Sequence, residues 1–311
     1  MVTKLWDSSE SHPIETHGLS PIKEVDMHCN LRAGRPTDAE VCAMICYEAF
    51  KTISSQHNFP PDFPSFEVAH DLFSSLLSRP NVYSVIAESE GRIVGSNFLW
   101  ENAVIAGVGP LTIAPDVQNS SLGRRLMENV LERARQKRAN GVRLVQAAYH
   151  NRSLALYAKL GFEVREPLAN LQGPTLRLGI PSYEVRAGHG SDMDACNHLC
   201  LKIHGHDRGQ ELRHAIEQGT ATVVEHAGRI TGYATFIGFM GHAVGESNED
   251  LKALIGAADI FVGPGFLLPT RNGELFRWCL QHGLRIVQPA TLMSRGLYNQ
   301  PSGAFLPSIL F

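Results

Sequence analysis

The sequence predicts an α/β (α+β) protein built from two mixed β-sheet domains that are flanked by helices and arranged in tandem. The first observation is the length, because 311 residues exceed one typical domain. The second is that several segments recur in the same order in the two halves of the chain. The third is that strand-like alternation precedes strand–helix–strand units, so each sheet should contain antiparallel and parallel pairs.

The internal repeat comprises four matches between the two halves. Residues 31–46 align with 185–200 without a gap, GRIVG matches GRITG, VGP is found twice, and GVRLVQ matches GLRIVQ. Four matches in one order predict two homologous domains. The predicted organisation is an N-terminal extension at 1–30, a first domain at 31–172, a linker at 173–182 and a second domain at 183–311.

Local patterns define the first elements of the first half. LRAG is a short strand, and the helix after it carries a Ser/Thr-x-x-Glu capping pattern at Thr37 and Glu40. VYSVIAES and RIVGSNFLW flank a turn at Glu90–Gly91, which predicts a hairpin. The following strand contains Gly107 and Gly109, and glycines inside a strand indicate a β-bulge.

A helix begins at Ser121, where the pattern of apolar residues changes. Its apolar stripe is formed by Leu122, Leu126, Val130 and Ala134. We expect Gly141 to end this helix. VRLVQAAY is then a strand, SLALYAKL a short helix closed by Gly161, and FEVRE another strand.

Composition excludes several functional classes. The 28 basic and 31 acidic residues give a net charge of −3, which provides no strong field for nucleic acid or a membrane surface. The N-terminus lacks the apolar core of a secretory signal, and the most apolar region, LIGAADIFVGPGFLLP, is too short and too broken to cross a bilayer. Six cysteines without such a signal indicate reduced thiols. We expect a cytoplasmic protein that binds neither nucleic acid nor a membrane, with its oligomeric state open.

The stretch PDVQNSSLGRRL, residues 115–126, has the composition of an anion-binding loop. Its small side chains at 119–121 leave the backbone amides accessible, and those amides lead into the N-terminus of a helix. Arg124 and Arg125 would add charge-assisted contacts to phosphate oxygens. The alternative interpretation is a polar region that only caps the helix.

The second half lacks this loop. The first half has 25 residues between Pro115 and Gly141, whereas the second has 13 between Pro269 and Gly283. We expect the loop and one full helix to account for the difference. A duplicated fold that keeps such a loop once is expected to keep it for a ligand.

Two segments of the first half resemble the signature motifs of the GNAT superfamily of N-acetyltransferases. LTIAPDVQNSSLGRRLMENVLERA is similar to the family's strand ending in hydrophobic-x-hydrophobic-x-Pro, followed by Gln/Arg-x-x-Gly-x-Gly/Ala, and NRSLALYAKLGFE to its Leu-Tyr-x-x-x-Gly-Phe. The resemblance covers residues 31–166, and it reaches 185–311 through the internal repeat. The matching positions are Leu111, Ile113, Pro115, Gln118, Ser121, Gly123, Leu156, Tyr157, Gly161 and Phe162.

The sequence departs from the family pattern at two places. Ser121 replaces the first glycine of the loop, which requires that this position avoid a positive φ or form a local hydrogen bond. The asparagine that the family commonly places seven residues before the tyrosine falls on His150, with Asn151 next to it. Either residue fits that role.

The resemblance implies acetyl-CoA as the donor and a small-molecule or peptide amine as the acceptor, joined in a ternary complex without a metal. It makes 31–172 the acetyl-CoA-binding domain and 183–311 a degenerate GNAT-like domain. A strand edge would bind the pantetheine arm, a backbone N–H near Leu111 would face the thioester oxygen, and the loop amides would bind the diphosphate. The implied donor-binding residues are Leu111, Thr112, Ile113, Gln118, Asn119, Ser120, Ser121, Leu122, Gly123, Arg124 and Asn151.

The resemblance also assigns a proton donor, whereas the base stays open. Tyr157 is placed by its family position to protonate the leaving thiolate. His150 follows a strand and titrates in a suitable range, Glu101 is a second candidate, and a chain of waters is a third.

Two other features have simpler interpretations. The pairs Cys42/Cys46 and Cys196/Cys200, followed by His198, His204 and His206, allow a zinc site, but helix packing explains spacing that recurs in both halves. The proline- and phenylalanine-rich segment 57–70 is found in the first half only, and it is either a surface connection or an apolar wall of the acceptor site.

Two functional alternatives to an acetyltransferase remain at this point. One is a CoA-binding sensor or interaction module without catalysis. The other is an acyltransferase that uses a longer acyl-CoA, since the loop reads only the diphosphate.

Overall fold

The computed structural model describes residues 29–101, 104–118 and 121–310. Asn119 and Ser120 of the predicted anion loop lie outside the described residues, as does most of the predicted N-terminal extension. Within the described ranges, no helix is long and apolar enough to cross a bilayer.

The first half contains the predicted strands and helices in the predicted order, with one further helix, α2 at Phe66–Ser78, between the first helix and the hairpin. The hairpin turns at Glu90–Gly91, where both residues have a positive φ. The elements are β1 Asn30–Ala33, α1 Ala39–Gln56, α2 Phe66–Ser78, β2 Val82–Ser89, β3 Arg92–Trp100, β4 Ile105–Val108, β5 Thr112–Ile113, α3 Leu122–Gln136, β6 Gly141–Ala147, α4 Asn151–Lys159 and β7 Glu163–Gln172.

The second half repeats this order, except that one strand, β11 at Ala243–Gly245, stands where the first half has β4 and β5. Its last strand has no counterpart among the elements described for the first half. The elements are β8 Glu184–Ala187, α5 Met193–His204, α6 Gly209–Glu217, β9 Thr222–His226, β10 Arg229–Ala234, β11 Ala243–Gly245, α7 Asn248–Ala257, β12 Phe266–Pro269, α8 Gly273–Gln281, β13 Arg285–Gly296 and β14 Ala304–Leu306.

The described strands form two sheets, and one of them contains strands of both halves. The larger has the order β1-β2-β3-β4-β6-β13-β7-β12, with β5 paired to β3, and the smaller has the order β14-β11-β10-β9-β8. The β4–β6 pair is parallel and its neighbours are antiparallel, so the larger sheet is mixed as predicted. The strand pairs described for the smaller sheet are all antiparallel.

The two halves exchange one strand each. β13 of the second half lies between β6 and β7 of the first half, and it pairs antiparallel with both. In return, β7 lies between β13 and β12 of the second half. The two long strands therefore hold the halves together by backbone hydrogen bonds.

The same ion-pair cluster is found near the start of each half. Arg32 donates to Asp38 at 2.7 and 2.9 Å and to Glu88 at 2.8 Å. Arg186 donates to Asp192 at 2.7 and 3.0 Å and to Glu225 at 2.8 Å. In each cluster the aspartate also accepts a backbone N–H from three residues earlier, at 2.7 Å in the first half and 2.8 Å in the second. Each cluster joins a first strand, the helix after it and the adjacent strand.

Several local predictions were wrong. Asp38, rather than Thr37, is the N-cap residue of α1. The third helix ends at Gln136, and Gly141 is the first residue of β6, where a side chain would meet the carbonyl oxygen of Leu297.

The second half does not lack a helix. α7 follows β11 as α3 follows β5, although it has 10 residues where α3 has 15 and the loop before it is shorter. GLRIVQ begins β13 after α8, and this position corresponds to β7 after α4 rather than to β6. Two features support this correspondence: Gly161 and Gly283 have φ values of 84° and 87°, and each follows its helix closely.

Candidate functional site

The first half contains an opening between β5 and β6. β4 pairs with β6 only from Ile105 to Gly107, opposite Gly141 to Arg143. Beyond that point β6 continues to Ala147, whereas β5 pairs only with β3. The two strands therefore diverge, and each presents an unpaired edge towards the other among the described residues.

A bulge produces this divergence. Leu99 is opposite Val108 and Ser96 is opposite Thr112, so residues 97–98 of β3 face 109–111 of the other strand. This strand therefore has one extra residue, as Gly107 and Gly109 predicted. Gly109 has a φ of 135°, a backbone conformation that favours glycine.

The edge of β5 that faces the opening offers backbone donors. The N–H of Ala114 donates to the carbonyl of Val94 on β3 at 2.9 Å. Because amides alternate in direction along a strand, the N–H of Ile113 and that of Leu111 point away from β3. Thr112 is 2% exposed, and its hydroxyl hydrogen-bonds to Ser96 at 3.0 Å. Leu111 and Ile113 are thus the residues whose amides face the opening.

The N-terminus of α3 lies beside this edge. Ser121 is the N-cap residue with a φ of −68°, so serine fits where the family has glycine. At Gly123 a Cβ would lie 3.2 Å from Ile113 and 3.4 Å from Leu156, which brings α3, β5 and α4 together at a buried glycine. The first turn of α3 contains no acidic residue. Its amides, together with the positive end of the helix dipole, suit an anion.

The polar side chains around this terminus differ in their roles. Gln118 donates to the carbonyl of Ile113 at 3.3 Å and accepts from Arg152 at 2.9 Å, so it bridges β5 and α4. Arg124 is 43% exposed and lies 3.6 Å from Glu128. Arg125 donates to the carbonyl of Cys29 at 2.7 Å and therefore anchors the start of β1. Of these two arginines, Arg124 is the one whose exposed side chain can turn from Glu128 towards an anion at this terminus.

Tyr157 lies on α4 and packs against the core that contains β4 and α3. Its ring meets that of Phe162 edge to face at 6.1 Å between centroids. Burial raises the pKa of Tyr157 to about 12, so the phenol stays protonated at neutral pH. A protonated phenol is suited to donate a proton.

His150 is the N-cap residue of α4, and Asn151 is its first residue. Burial, with the charges of Arg152 and His57, lowers the pKa of His150, so its imidazole is neutral at pH 7. Its Nε2 atom is buried and has no hydrogen-bond partner among the described residues. The side chain of Asn151 is exposed.

Glu101 occupies the opposite end of β3, as expected from the sequence. It forms ion pairs with Arg133 and with Lys137, the latter at 3.2 Å. Burial alone would raise its pKa, but the two cations together hold the pKa below its ordinary value. A carboxylate engaged in this way makes a poor base.

The connection between α1 and α2, residues 57–65, holds a functional candidate that the sequence analysis missed. Asp62 is half-buried and accepts from Gln288 of β13 at 2.9 Å. The connection also contributes Phe59, whose ring stacks on Tyr149 at 4.3 Å between centroids. The corresponding connection between α5 and α6 spans only 205–208. The first-half insertion therefore lies against residues that follow β6.

The cysteine pairs of both halves point into helix-packed cores. Cys42, Cys46, Cys196 and Cys200 are fully buried, and burial raises the pKa of each thiol. In the part of the chain that the structure describes, no group of three or more His, Cys, Asp or Glu residues could hold a metal ion.

The first half matches a known family. Residues 47–162 match the model of the acetyltransferase (GNAT) family. The IAA acetyltransferase of Azospirillum brasilense is 28% identical over 104 residues, which are 32% of this chain and 67% of that protein.

Solved structures share the fold over both halves. An acetyltransferase-like protein of Pyrococcus horikoshii superposes with a TM-score of 0.68 at 17% identity, covering 88% of this chain and 91% of that one. A GCN5-related N-acetyltransferase of Sphaerobacter thermophilus gives a TM-score of 0.56 at 15% identity, covering 89% and 98%. At this identity the similarity concerns the fold alone.

Proposed function

We propose that the protein transfers an acetyl group from acetyl-CoA to a primary amine within a ternary complex, because residues 47–162 match the model of the acetyltransferase (GNAT) family. The observation that carries the proposal is the opening between β5 and β6 in front of the N-terminus of α3. An extended, amide-containing arm fits the strand edges, and a diphosphate fits the helix N-terminus. The residues of the opening therefore suit both parts of CoA.

The proposed donor site uses backbone groups for most contacts. The outward amides of Leu111 and Ile113 bind the arm, with the one near Leu111 directed at the thioester oxygen. The amides from Gln118 to Arg124 bind the diphosphate, and these include Asn119 and Ser120, which lie outside the described residues. Gly123 lets the N-terminus of α3 pack closely against β5 and α4, since a side chain there would meet Ile113 and Leu156.

The proposed chemistry needs a proton donor and a proton acceptor. Bound acetyl-CoA supplies the activated acetyl group. Tyr157, which burial keeps protonated at neutral pH, donates a proton on the side of the leaving sulfur. The neutral imidazole of His150 accepts a proton from the amine, directly or through water, through the Nε2 atom that has no partner among the described residues. Asn151 orients the adjacent part of the donor.

We also propose that the chain is a tandem of two GNAT-like domains, 31–172 and 183–311, joined by 173–182 and located in the cytoplasm. The shared order of elements and the repeated arginine–aspartate cluster support this division. The second domain is a degenerate copy that shapes the first, because it has no loop of comparable length before α7.

The proposal is tested by thiol release from acetyl-CoA with a panel of primary amines, together with calorimetric titration of acetyl-CoA. We expect amine-dependent release and a stoichiometry of one acetyl-CoA per chain. Absence of release with every amine, combined with tight CoA binding, would instead indicate a sensor. Faster thiol release from a longer acyl-CoA than from acetyl-CoA would show that the donor is the longer acyl-CoA, bound at the same site.

A further inference from the structure

Asp62 is a half-buried carboxylate that has only neutral partners. Its oxygens accept from the Gln288 amide at 2.9 Å and from the Ser54 hydroxyl at 3.4 Å, and both partners are at most 5% exposed. No described lysine, arginine or histidine forms an ion pair with it, although such pairs hold other buried carboxylates of the chain, such as Asp38. Asp62 is therefore a desolvated negative charge without a cation from the described chain.

Such a charge is costly unless a cation reaches it. A carboxylate taken out of water loses solvation that neutral hydrogen bonds restore only partly. Burial accordingly raises the pKa of Asp62 despite the two hydrogen bonds. A bound ligand that carries a positive charge would supply the missing compensation.

Three aromatic rings, those of Tyr149, Phe59 and His57, form a cluster near this carboxylate. The Tyr149 hydroxyl donates to the same Gln288 amide, at 3.3 Å, that binds Asp62. The Tyr149 ring stacks on Phe59 at 4.3 Å with 12° between the planes, and the ring of His57 lies 5.2 Å away. The Gln288 side chain thus fixes a carboxylate and an aromatic face next to each other. Aromatic faces bind the apolar body of a ligand and also attract cations.

This cluster is continuous with the proposed acyl-transfer site. Tyr149 lies two residues beyond the end of β6, whose unpaired edge faces β5. His150 follows directly and N-caps the helix that carries Tyr157. The ring of His57 lies 5.2 Å from that of Tyr149, the residue before His150.

We propose that Asp62 binds the ammonium group of the acceptor, and that the acceptor is therefore a cationic amine with an apolar or aromatic body and no carboxylate beside the amine. The inference rests on the proposed function, since it assigns the acceptor class of that site. Tyr149 and Phe59 bind the body of the acceptor, and Gln288 is a positioning residue supplied by the second half. A carboxylate next to the amine would be repelled by Asp62.

The test compares phenethylamine with phenylalanine, which differ only by the carboxylate. Both are titrated calorimetrically into the full chain loaded with CoA, using wild type, Asp62→Asn and the control Asp71→Asn, an exposed carboxylate on α2. We expect wild type to bind phenethylamine at least tenfold more tightly than phenylalanine. Asp62→Asn should lose at least tenfold of the phenethylamine affinity without a change in CoA affinity, and Asp71→Asn should lose none.

A second variant keeps the test decisive if Asp62→Asn does not fold. Gln288→Met retains the carboxylate but removes the amide that orients it, and we expect a three- to tenfold loss of phenethylamine affinity. The inference is overturned if wild type binds neither probe, if it prefers phenylalanine, or if both variants bind phenethylamine as wild type does.

Activity separates this inference from the proposed function. Asp62-dependent binding of phenethylamine without thiol release would leave the ammonium site in place and refute the acetyltransferase proposal. Suppose instead that other amines cause thiol release from acetyl-CoA equally fast in wild type and in Asp62→Asn. This result would support the acetyltransferase proposal and refute the ammonium site.

Discussion

The two halves use the same order of elements, but they differ at the point where the first would bind a donor. Eight residues, 114–121, connect β5 to α3, whereas two residues, 246–247, connect β11 to α7. The first turn of α3 has no acidic residue, while that of α7 contains Glu249 and Asp250. The α7 N-terminus is thus neutralised by its own side chains. A shared fold does not preserve a site when the loop and the charge at the helix end have changed.

The two halves also differ at the strand edge that precedes this helix. In the first half the edge of β5 that faces β6 is unpaired among the described residues. In the second half the C-terminal strand β14 pairs with β11 through Ala243–Leu306, Val244–Phe305 and Gly245–Ala304, and it also contacts β12. In the second half, β14 therefore occupies the place that corresponds to the opening of the first half.

The largest expected effect concerns Tyr157. Its counterpart in the second half is Cys279, because Phe162 and Leu284 donate their amides to the carbonyls of Tyr157 and Cys279, at 3.0 and 3.1 Å, around equivalent glycines. Tyr157→Phe should lower kcat by about 10²–10⁴-fold, the usual loss on removing a general acid. Acetyl-CoA affinity by calorimetry should not change. Cys279→Ser should leave kcat within about twofold of wild type, and a similar loss in both variants would contradict the assignment.

The next effect concerns the charge at the helix end. Arg124 and Asp250 both lie three residues after their N-cap residues, so Arg124→Asp gives α3 the acidic residue of α7. Acetyl-CoA affinity should fall about tenfold, since a cation near the diphosphate is replaced by an anion. Arg138→Asp makes the same change in net charge beyond the other end of α3 and should have little effect. Equal losses would show that overall charge, rather than the helix N-terminus, governs binding.

The smallest expected effect concerns the arginine–aspartate cluster that both halves contain. Arg32→Met and Arg186→Met each leave a buried aspartate without its guanidinium, so each should lower the free energy of unfolding by about 1–3 kcal/mol. The loss should be larger for Arg32, whose side chain is 20% exposed against 34% for Arg186. Urea unfolding of both variants measures this change in the free energy of unfolding. A loss of stability in only one of the two variants would contradict the equivalence of the clusters.

These clusters also predict how the stability of the fold depends on pH. Hydrogen bonds from the arginines lower the pKa values of Asp38 and Asp192 below 3.8, although burial opposes them. A carboxyl with a lowered folded-state pKa stabilises the fold above its unfolded pKa, and this stabilisation is lost as the pH falls through the folded value. The stability difference between wild type and either variant should therefore be constant near neutral pH and shrink below about pH 4.

Local patterns predicted the first half well because its signals are local. The hairpin turn, the bulge and the α3 stripe each follow from spacing within a few residues. The strand exchange could not be predicted in this way, because β13 pairs with strands more than 100 residues away. The similarity of GLRIVQ to GVRLVQ instead assigned that segment to the wrong strand, and this assignment removed α7 from the predicted second half.

The candidate site was predicted only in part for the same reason. The donor side lies on one continuous segment from β5 to α4, so its motif is visible in the sequence. Asp62 gains its neutral surroundings from Gln288, 226 residues away, and from Tyr149. No local pattern distinguishes this aspartate from an exposed one.

The exchanged strands also constrain how the chain comes apart. A cut within 173–182 would leave the first sheet without β13 and the second half without β7, and each fragment would expose the backbone edges that these strands now cover. Heating the intact chain should therefore melt both halves in one cooperative transition. Neither half is therefore expected to be stable as a separate fragment, because each completes its sheet with a strand of the other.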